Sequence, residues 1–414
     1  MKQYETYKDS GAEWIGEIPE SWKSVNLKWI SNITKGKKPK VDFDENGENL
    51  LPYLSMEFLR GKTSNPTYAS IEEKGLVHID DGDILILWDG SKAGEIVKAK
   101  KGILSSTMAK IEINDNNFES NYLNYLLQLG ERHVQEHTIG MGIPHVSGDI
   151  LKMLPMLVPS SQEQTQIANY LDYKTGLIDA IIAQKEDLIK KLKEQRQAII
   201  NEAVTKGLNK DVKLKDSGIE WLGDIPEHWE VVKLRYLSDI TTGDKDTENR
   251  EDDAKYPFFV RSQTIERISS YSFDGEAILT AGDGVGVCKV WHYINGKFDY
   301  HQRVYMMHNF RKVTGIYLFN FMKENFINEV LKLSAKSTVD SLRRPMFLDF
   351  PVAVPPMDEQ SSIIDVLINK QKLIDNSIEE IISSIQKLKE YRQSLISEAV
   401  TGKIDVRDWQ APKS

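Results

Sequence analysis

Two long stretches of the chain space their apolar residues in alternating steps of four and three. In the later stretch these are Ile374, Ile378, Ile381, Ile385, Leu388, Leu395 and Ala399, with Arg392 filling one position. The earlier stretch has Ile178, Ile182, Ile189, Leu192, Ile199 and Ala203, and Lys185 and Arg196 interrupt it. Such heptad spacing gathers the apolar side chains into one seam of a long helix, and two copies predict that the helices pair with each other. Each follows Pro-containing sequence, and Gly207 and Gly402 stand where the helices should stop. Elsewhere the apolar runs are short. Gly82–Trp88 and Ala277–Thr280 read as strands bounded by Gly and Asp, whereas Asn121–Leu127 and Leu318–Met322 read as helices.

The helical stretches belong to a larger repeat. Asp9–Ser10–Gly11–Ala12–Glu13–Trp14–Ile15–Gly16–Glu17–Ile18–Pro19–Glu20–Ser21–Trp22 recurs from Asp216 to Trp229, a shift of 207 (216 − 9). Pro159–Gln164 is answered by Pro355–Gln360, and Glu202–Thr205 by Glu398–Thr401, both at a shift of 196 (355 − 159; 398 − 202). A period this long marks a duplication rather than a solenoid. The predicted class is α+β, with two mixed, β-rich variable heads at 1–158 and 208–354. A central helix at 159–207 and a C-terminal helix and tail at 355–414 complete the chain. The first helix leads from one head to the other and the second begins where the second head ends, so helices paired along their length run antiparallel. Some 40 residues at 1.5 Å each give a rod of roughly 60 Å with pseudo-two-fold symmetry. The tail Val406–Arg407–Asp408–Trp409 is expected to return to the first head.

Composition narrows the class further. The chain has 414 residues, 40% of them hydrophobic and 28% charged, which excludes a disordered or collagen-like protein. One cysteine, Cys288, closes no internal disulfide and makes no Cys-rich zinc site, so a reducing, cytoplasmic setting is expected. No apolar run approaches the ~18 residues of a membrane helix. With 53 Lys and Arg against 62 Asp and Glu, the net charge is −9. Any nucleic-acid contact must therefore be local, and Lys35–Lys40 and Lys98–Lys101 are basic clusters.

No catalytic constellation emerges. His133–Val134–Gln135–Glu136–His137 matches H-x-x-E-H but brings no other protease feature, and a solvated helix end is the expected reading. Asp42–Gly47 opens like a calcium loop but carries Tyr53 where the twelfth position needs a bidentate Glu. Gly282–Gly286 fits neither a dinucleotide nor a phosphate fingerprint and reads as a tight turn. An Asn/Asp-Pro-Pro-aromatic tetrapeptide is absent, so no amino-methyltransferase centre is visible. The chain is expected to bind rather than catalyse, with no metal and no cofactor of its own.

The combination of motifs resembles the specificity subunit of type I restriction–modification systems over nearly the whole length. The likeness rests on Gly11–Trp22 and Gly218–Trp229, on Pro159–Gln164 and Pro355–Gln360, and on Arg196–Thr205 and Arg392–Thr401. Gly82–Leu85 and Asp89–Ser91 look like family elements of the first head. Gly282–Gly284, Gly296–Phe298 and His301–Gln302 look like a different head subtype. The resemblance implies two target recognition domains, each reading one half of a bipartite, asymmetric site in double-stranded DNA. It implies that the helices set the unread spacer and help dock two methyltransferase subunits, which carry S-adenosylmethionine. Restriction subunits would complete a cutting complex.

Positions shared by the two heads are expected to be structural, because the heads should read different sequences. Candidate DNA contacts are therefore Lys37, Lys38, Arg60 and Lys92 in the first head. In the second they are Arg261, Gln263, His301, Gln302, Arg303 and Arg343. Arg and Gln pair bidentately with guanine and adenine edges, while Lys mostly meets phosphate. The rival reading is a coiled-coil scaffold presenting two protein-binding heads without DNA recognition.

Overall fold

The computed structural model describes residues 2–412 except 62, 141 and 334–340. Contacts divide the chain into two compact units, 1–184 with 384–414, and 185–383. Each unit holds one head together with part of both long helices, Ser161–Lys206 and Met357–Val400.

In the second unit a six-stranded sheet runs in the order Asp239–Thr242, Val304–His308, Phe273–Ala281, Trp291–Tyr300, Tyr256–Phe259, Glu266–Ile268. Its neighbours are antiparallel except Tyr256–Phe259 and Trp291–Tyr300, which are parallel. The central strand Phe273–Ala281 turns completely buried at Ala277–Ala281, as expected of a strand covered on both faces. Ile278 joins a core with Tyr317, Phe321 and Phe326 of the helix Gly315–Leu333 and with Ile200 and Val204 of the first long helix.

The first unit uses the same strand order, broken in two. Ser31–Lys35, Met108–Ile113, Ile84–Leu87 and Ile96–Lys98 form one sheet. Tyr68–Ser70, Leu50–Leu54, Gly102–Leu104 and His78–Ile79 form the other. Where the second head has one strand, Trp291–Tyr300, the first interrupts it between Lys98 and Gly102, and the parallel pairing survives as Ile103 beside Tyr53. Each head also needs a glycine at one matching place. A Cβ on Gly36 would lie 2.1 Å from the Ser105 carbonyl oxygen, and one on Gly243 would lie 2.0 Å from that of Tyr300. No side chain fits so close to another backbone.

The repeated motifs fasten to one another. Trp22 is buried and donates its indole N–H to Glu163 Oε1 at 3.1 Å, where the Tyr4 hydroxyl also donates at 2.7 Å. In the second unit Trp229 donates to Glu359 Oε2 at 3.1 Å, and His228 Nε2 lies 2.8 Å from the same oxygen. The adjacent glutamines close the other side. Gln164 donates to the Asn117 and Pro159 carbonyls and accepts from Glu119 N–H; Gln360 does the same with Lys312, Pro355 and Thr314. Gly207 and Gly402 adopt φ of +75° and +70° just after the helices, which suits a glycine stop. The tail returns to the first head as expected: Asp405 N–H donates to Lys2 O at 2.9 Å, and Trp409 packs on Tyr170 and Tyr173.

On the long helices, Ile178, Ile182, Ile378, Ile385 and Leu395 are buried, and Ile189, Leu192, Ile199, Ile374, Ile381 and Leu388 are half-buried. The two arginines that interrupt the seam have partners. In the first unit Arg392 donates to both oxygens of Asp179, at 2.9 and 3.3 Å. In the second, Arg196 Nη1 donates to Asp375 Oδ1 at 2.5 Å. Among the described residues no helix is long and apolar enough to cross a membrane.

Candidate nucleic-acid interface

The second head gathers its cations where three strand ends meet. Arg261 follows Tyr256–Phe259, Arg303 precedes Val304–His308, and Asp283 sits in the glycine-flanked turn after Phe273–Ala281. Asp283 Oδ1 accepts from Arg261 Nη1 at 2.8 Å and Oδ2 accepts from Arg303 Nη1 at 2.5 Å. The carboxylate side chain is only 19% exposed, against 44% and 62% for the two arginines. Burial alone would raise the Asp283 pKa, but the two guanidiniums hold it below the ordinary value. In the same turn Val285 is 94% exposed.

The neighbouring polar candidates are more committed than their types suggested. Gln302 donates to Asp246 Oδ2 at 2.7 Å and Gln263 to the Lys289 carbonyl at 2.8 Å. His301 is buried, and its Nδ1 accepts the Arg303 backbone N–H at 2.9 Å. Burial holds its pKa below the ordinary histidine value, which keeps the ring neutral and suits an accepting Nδ1. It shapes the turn that presents Arg303. Arg343 is exposed at the start of the short helix Arg344–Leu348.

In the first head Lys37 and Lys38 are exposed on the loop after Ser31–Lys35, and Lys92 is exposed on a separate turn. Arg60 is paired within the head. Its Nε donates to Glu95 Oε1 at 3.0 Å and its Nη2 donates to Oε2, so this carboxylate occupies its bidentate fork. Lys35, part of the basic cluster Lys35–Lys40 but not among the candidate contacts, has its ammonium 5.0 Å over the Trp88 ring and 3.4 Å from Asp89 Oδ2. The available signal was the Asp-Gly pair closing a buried strand, present in both heads as Asp89–Gly90 and Asp283–Gly284.

The H-x-x-E-H segment holds no metal-site geometry. His133 stacks on Trp14 with ring centroids 4.8 Å apart, and Glu136 accepts from Arg132 at 2.8 Å. Among the described residues no group of three His, Cys, Asp or Glu side chains is placed to hold an ion. What the exposed sets can do is recognise charge and edges. Arginine forks suit guanine, lysines suit phosphate, and an apolar tip such as Val285 suits a thymine methyl group.

Comparison with known proteins gives the family of the chain. The model of the type I restriction modification DNA specificity domain matches residues 19–191 and 226–387. The chain belongs to this family. It is 32% identical over 424 aligned residues to the type I restriction enzyme MjaVIII specificity subunit of Methanocaldococcus jannaschii, covering 94% of this chain and 95% of that one. The EcoDI specificity subunit of Escherichia coli is 28% identical over 189 residues, 46% of this chain and 41% of its own. A chain solved in a study of assembly and conformational transition of a type I R-M system superposes with a TM-score of 0.67. It does so at 15% identity, over 94% of this chain and 99% of that one. This type I specificity subunit is therefore a non-catalytic DNA-recognition component of a restriction–modification complex. The protein-only scaffold reading is set aside.

Proposed function

We propose that each head of this specificity subunit reads one half of a bipartite, asymmetric DNA site, and that the paired long helices fix the unread spacer between the halves. The observation that carries this is the contrast between what the heads share and what they expose. Both are closed by the same Trp–Glu and Gln fasteners. Yet the first presents lysines, at 35, 37, 38 and 92, and the second presents the arginines 261, 303 and 343. A common socket with unlike faces suits two readers of unlike sequence.

The charge pairs on the helices support a single antiparallel coiled coil. A step of 17 residues forward on the first helix (179 to 196) meets a step of 17 back on the second (392 to 375). The repeat shift of 196 also turns Asp179 into Asp375 and Arg196 into Arg392, so the two pairs are one contact made twice. With this pseudo-symmetry the subunit suits two methyltransferase subunits bearing S-adenosylmethionine, one per half-site, with restriction subunits joining them in the cytoplasm. Methylation inside a duplex requires the target adenine to be flipped out, so the heads must hold the flanking DNA firmly. The test is to map methylated adenines in cells carrying the partner methyltransferase with and without this gene. A two-part motif with a fixed gap is expected, and a continuous motif would refute the reading.

A further inference from the structure

One acidic residue in each head occupies a place that charge alone does not explain. DNA is a polyanion, so a carboxylate within its contact face is repelled by phosphate. Yet Asp89 and Asp283 stand at matching positions. Each follows a buried central strand, Ile84–Leu87 or Phe273–Ala281, by two residues. Each precedes a glycine of positive φ, Gly90 at 130° or Gly284 at 74°. Each makes an isolated antiparallel bridge to the segment before a short helix, Asp89 to His145 and Asp283 to Ser341, and those partners are 196 apart (341 − 145). That is the same shift that relates the helices.

What each aspartate holds is different. Asp89 accepts from Lys35, the last residue of Ser31–Lys35, whose ammonium also lies over Trp88. Asp283 accepts from Arg261 and Arg303, which arrive from two other strand ends. In the second head the carboxylate lies deeper than either cation it binds. We infer that Asp89 and Asp283 are equivalent positioning residues, which fix the direction in which each head's own cations meet the DNA and thereby set base discrimination.

The physical argument concerns order. An exposed arginine samples many rotamers, and ordering a long side chain on binding costs conformational entropy. A carboxylate that takes one N–H from each of two guanidiniums holds both in a single arrangement and leaves their other N–H groups available. A guanidinium aimed this way suits a bidentate contact to guanine. A freely moving one grips whichever phosphate is near. The shared aspartate thus trades non-specific attraction for selectivity, while the residues it holds can differ between heads.

The inference rests on the reading of the heads as half-site readers, and the experiment separates the two. Asp283→Asn keeps the shape of the side chain and removes its charge. The variant is assembled with its methyltransferase partners, and adenine methylation is measured on a library of single-base variants of both half-sites. If the wild-type complex shows no base preference assigned to the second head, half-site reading fails. Given that preference, Asp283→Asn is expected to lower discrimination in that half-site by roughly tenfold, the scale of one good bidentate contact. Binding to unrelated DNA should strengthen at low salt, and the other half-site should be read as before. A uniform loss of methylation across the library, or unchanged discrimination, overturns the inference. A double-variant cycle guards against a folding defect: Arg261→Ala should cost less discrimination in the Asp283→Asn background than alone. Equal cost in both backgrounds refutes positioning. Asp89→Asn should move only the half-site read by the first head.

Discussion

At the scale of single residues, the two buried tryptophans show how a motif earns its place by what it touches. Trp229→Phe leaves a small cavity at a fully buried ring and deletes the N–H donated to Glu359, which retains His228 as a partner. A hydrogen bond to a charged group contributes about 1.5–3 kcal/mol, and the cavity adds to its loss, so a destabilisation of at least about 1.5 kcal/mol is expected. Chemical denaturation of the variant checks this. Histidine protonation gives a second expectation. His292 and His301 are buried in the second head, and burial holds the pKa of each below the ordinary value. On acidification the unfolded chain takes up these protons at the ordinary histidine pKa of about 6.5, before the folded head does. Stability present above that range is therefore lost as the pH falls through it. The denaturation midpoint should drop between about pH 7.5 and about pH 5.5, and drop less in His301→Asn. A midpoint independent of pH over that span would contradict the burial argument.

At the scale of elements, the long helices were legible because a heptad is a local pattern, repeated in the sequence and answered by burial. Arg196 and Arg392 read as breaks in that pattern, since nothing local shows that an aspartate on the other helix meets each of them. The heads hid more. Asp283 binds Arg261 and Arg303 from 22 and 20 residues away, and Arg60 is taken up by Glu95 35 residues on. Such partners are set by sheet order, which residue type does not reveal. The heads' shared Asp-Gly turn was visible as a motif and its cations as basic residues, but the pairing of the one with the other was not. The helices also carry a prediction about length. One heptad added after Asp187 and one after Ser383 fall midway between the charged positions of each helix, so both ion pairs and the apolar seam persist. Seven residues at 1.5 Å lengthen each helix by roughly 10 Å, comparable to ~3 base pairs of duplex. Methylation of a plasmid series differing only in spacer should then favour a longer gap with both half-sites unchanged. An unaltered spacer preference in the folded protein would mean that the helices do not set the distance.

At the scale of the whole molecule, the fasteners predict that each head is exchangeable. Replacing residues from Trp22 to Val158 with the corresponding stretch of a related subunit leaves Glu163 and Gln164 in place to close it. The chimera is expected to methylate a site altered in one half only, and sequencing methylated adenines genome-wide reads the result. Changes in both halves would show that the heads do not act separately. The fasteners also bear on how such a gene can change over generations. The two members of each Trp–Glu contact are 141 residues apart in the first head and 130 in the second, so heads of unequal length close on the same lock. Mutations at those ends are confined by their distant partner, while the stretch between them can drift, grow or be replaced in a single recombination. A lineage can therefore acquire a new target without passing through an ancestor that fails to fold.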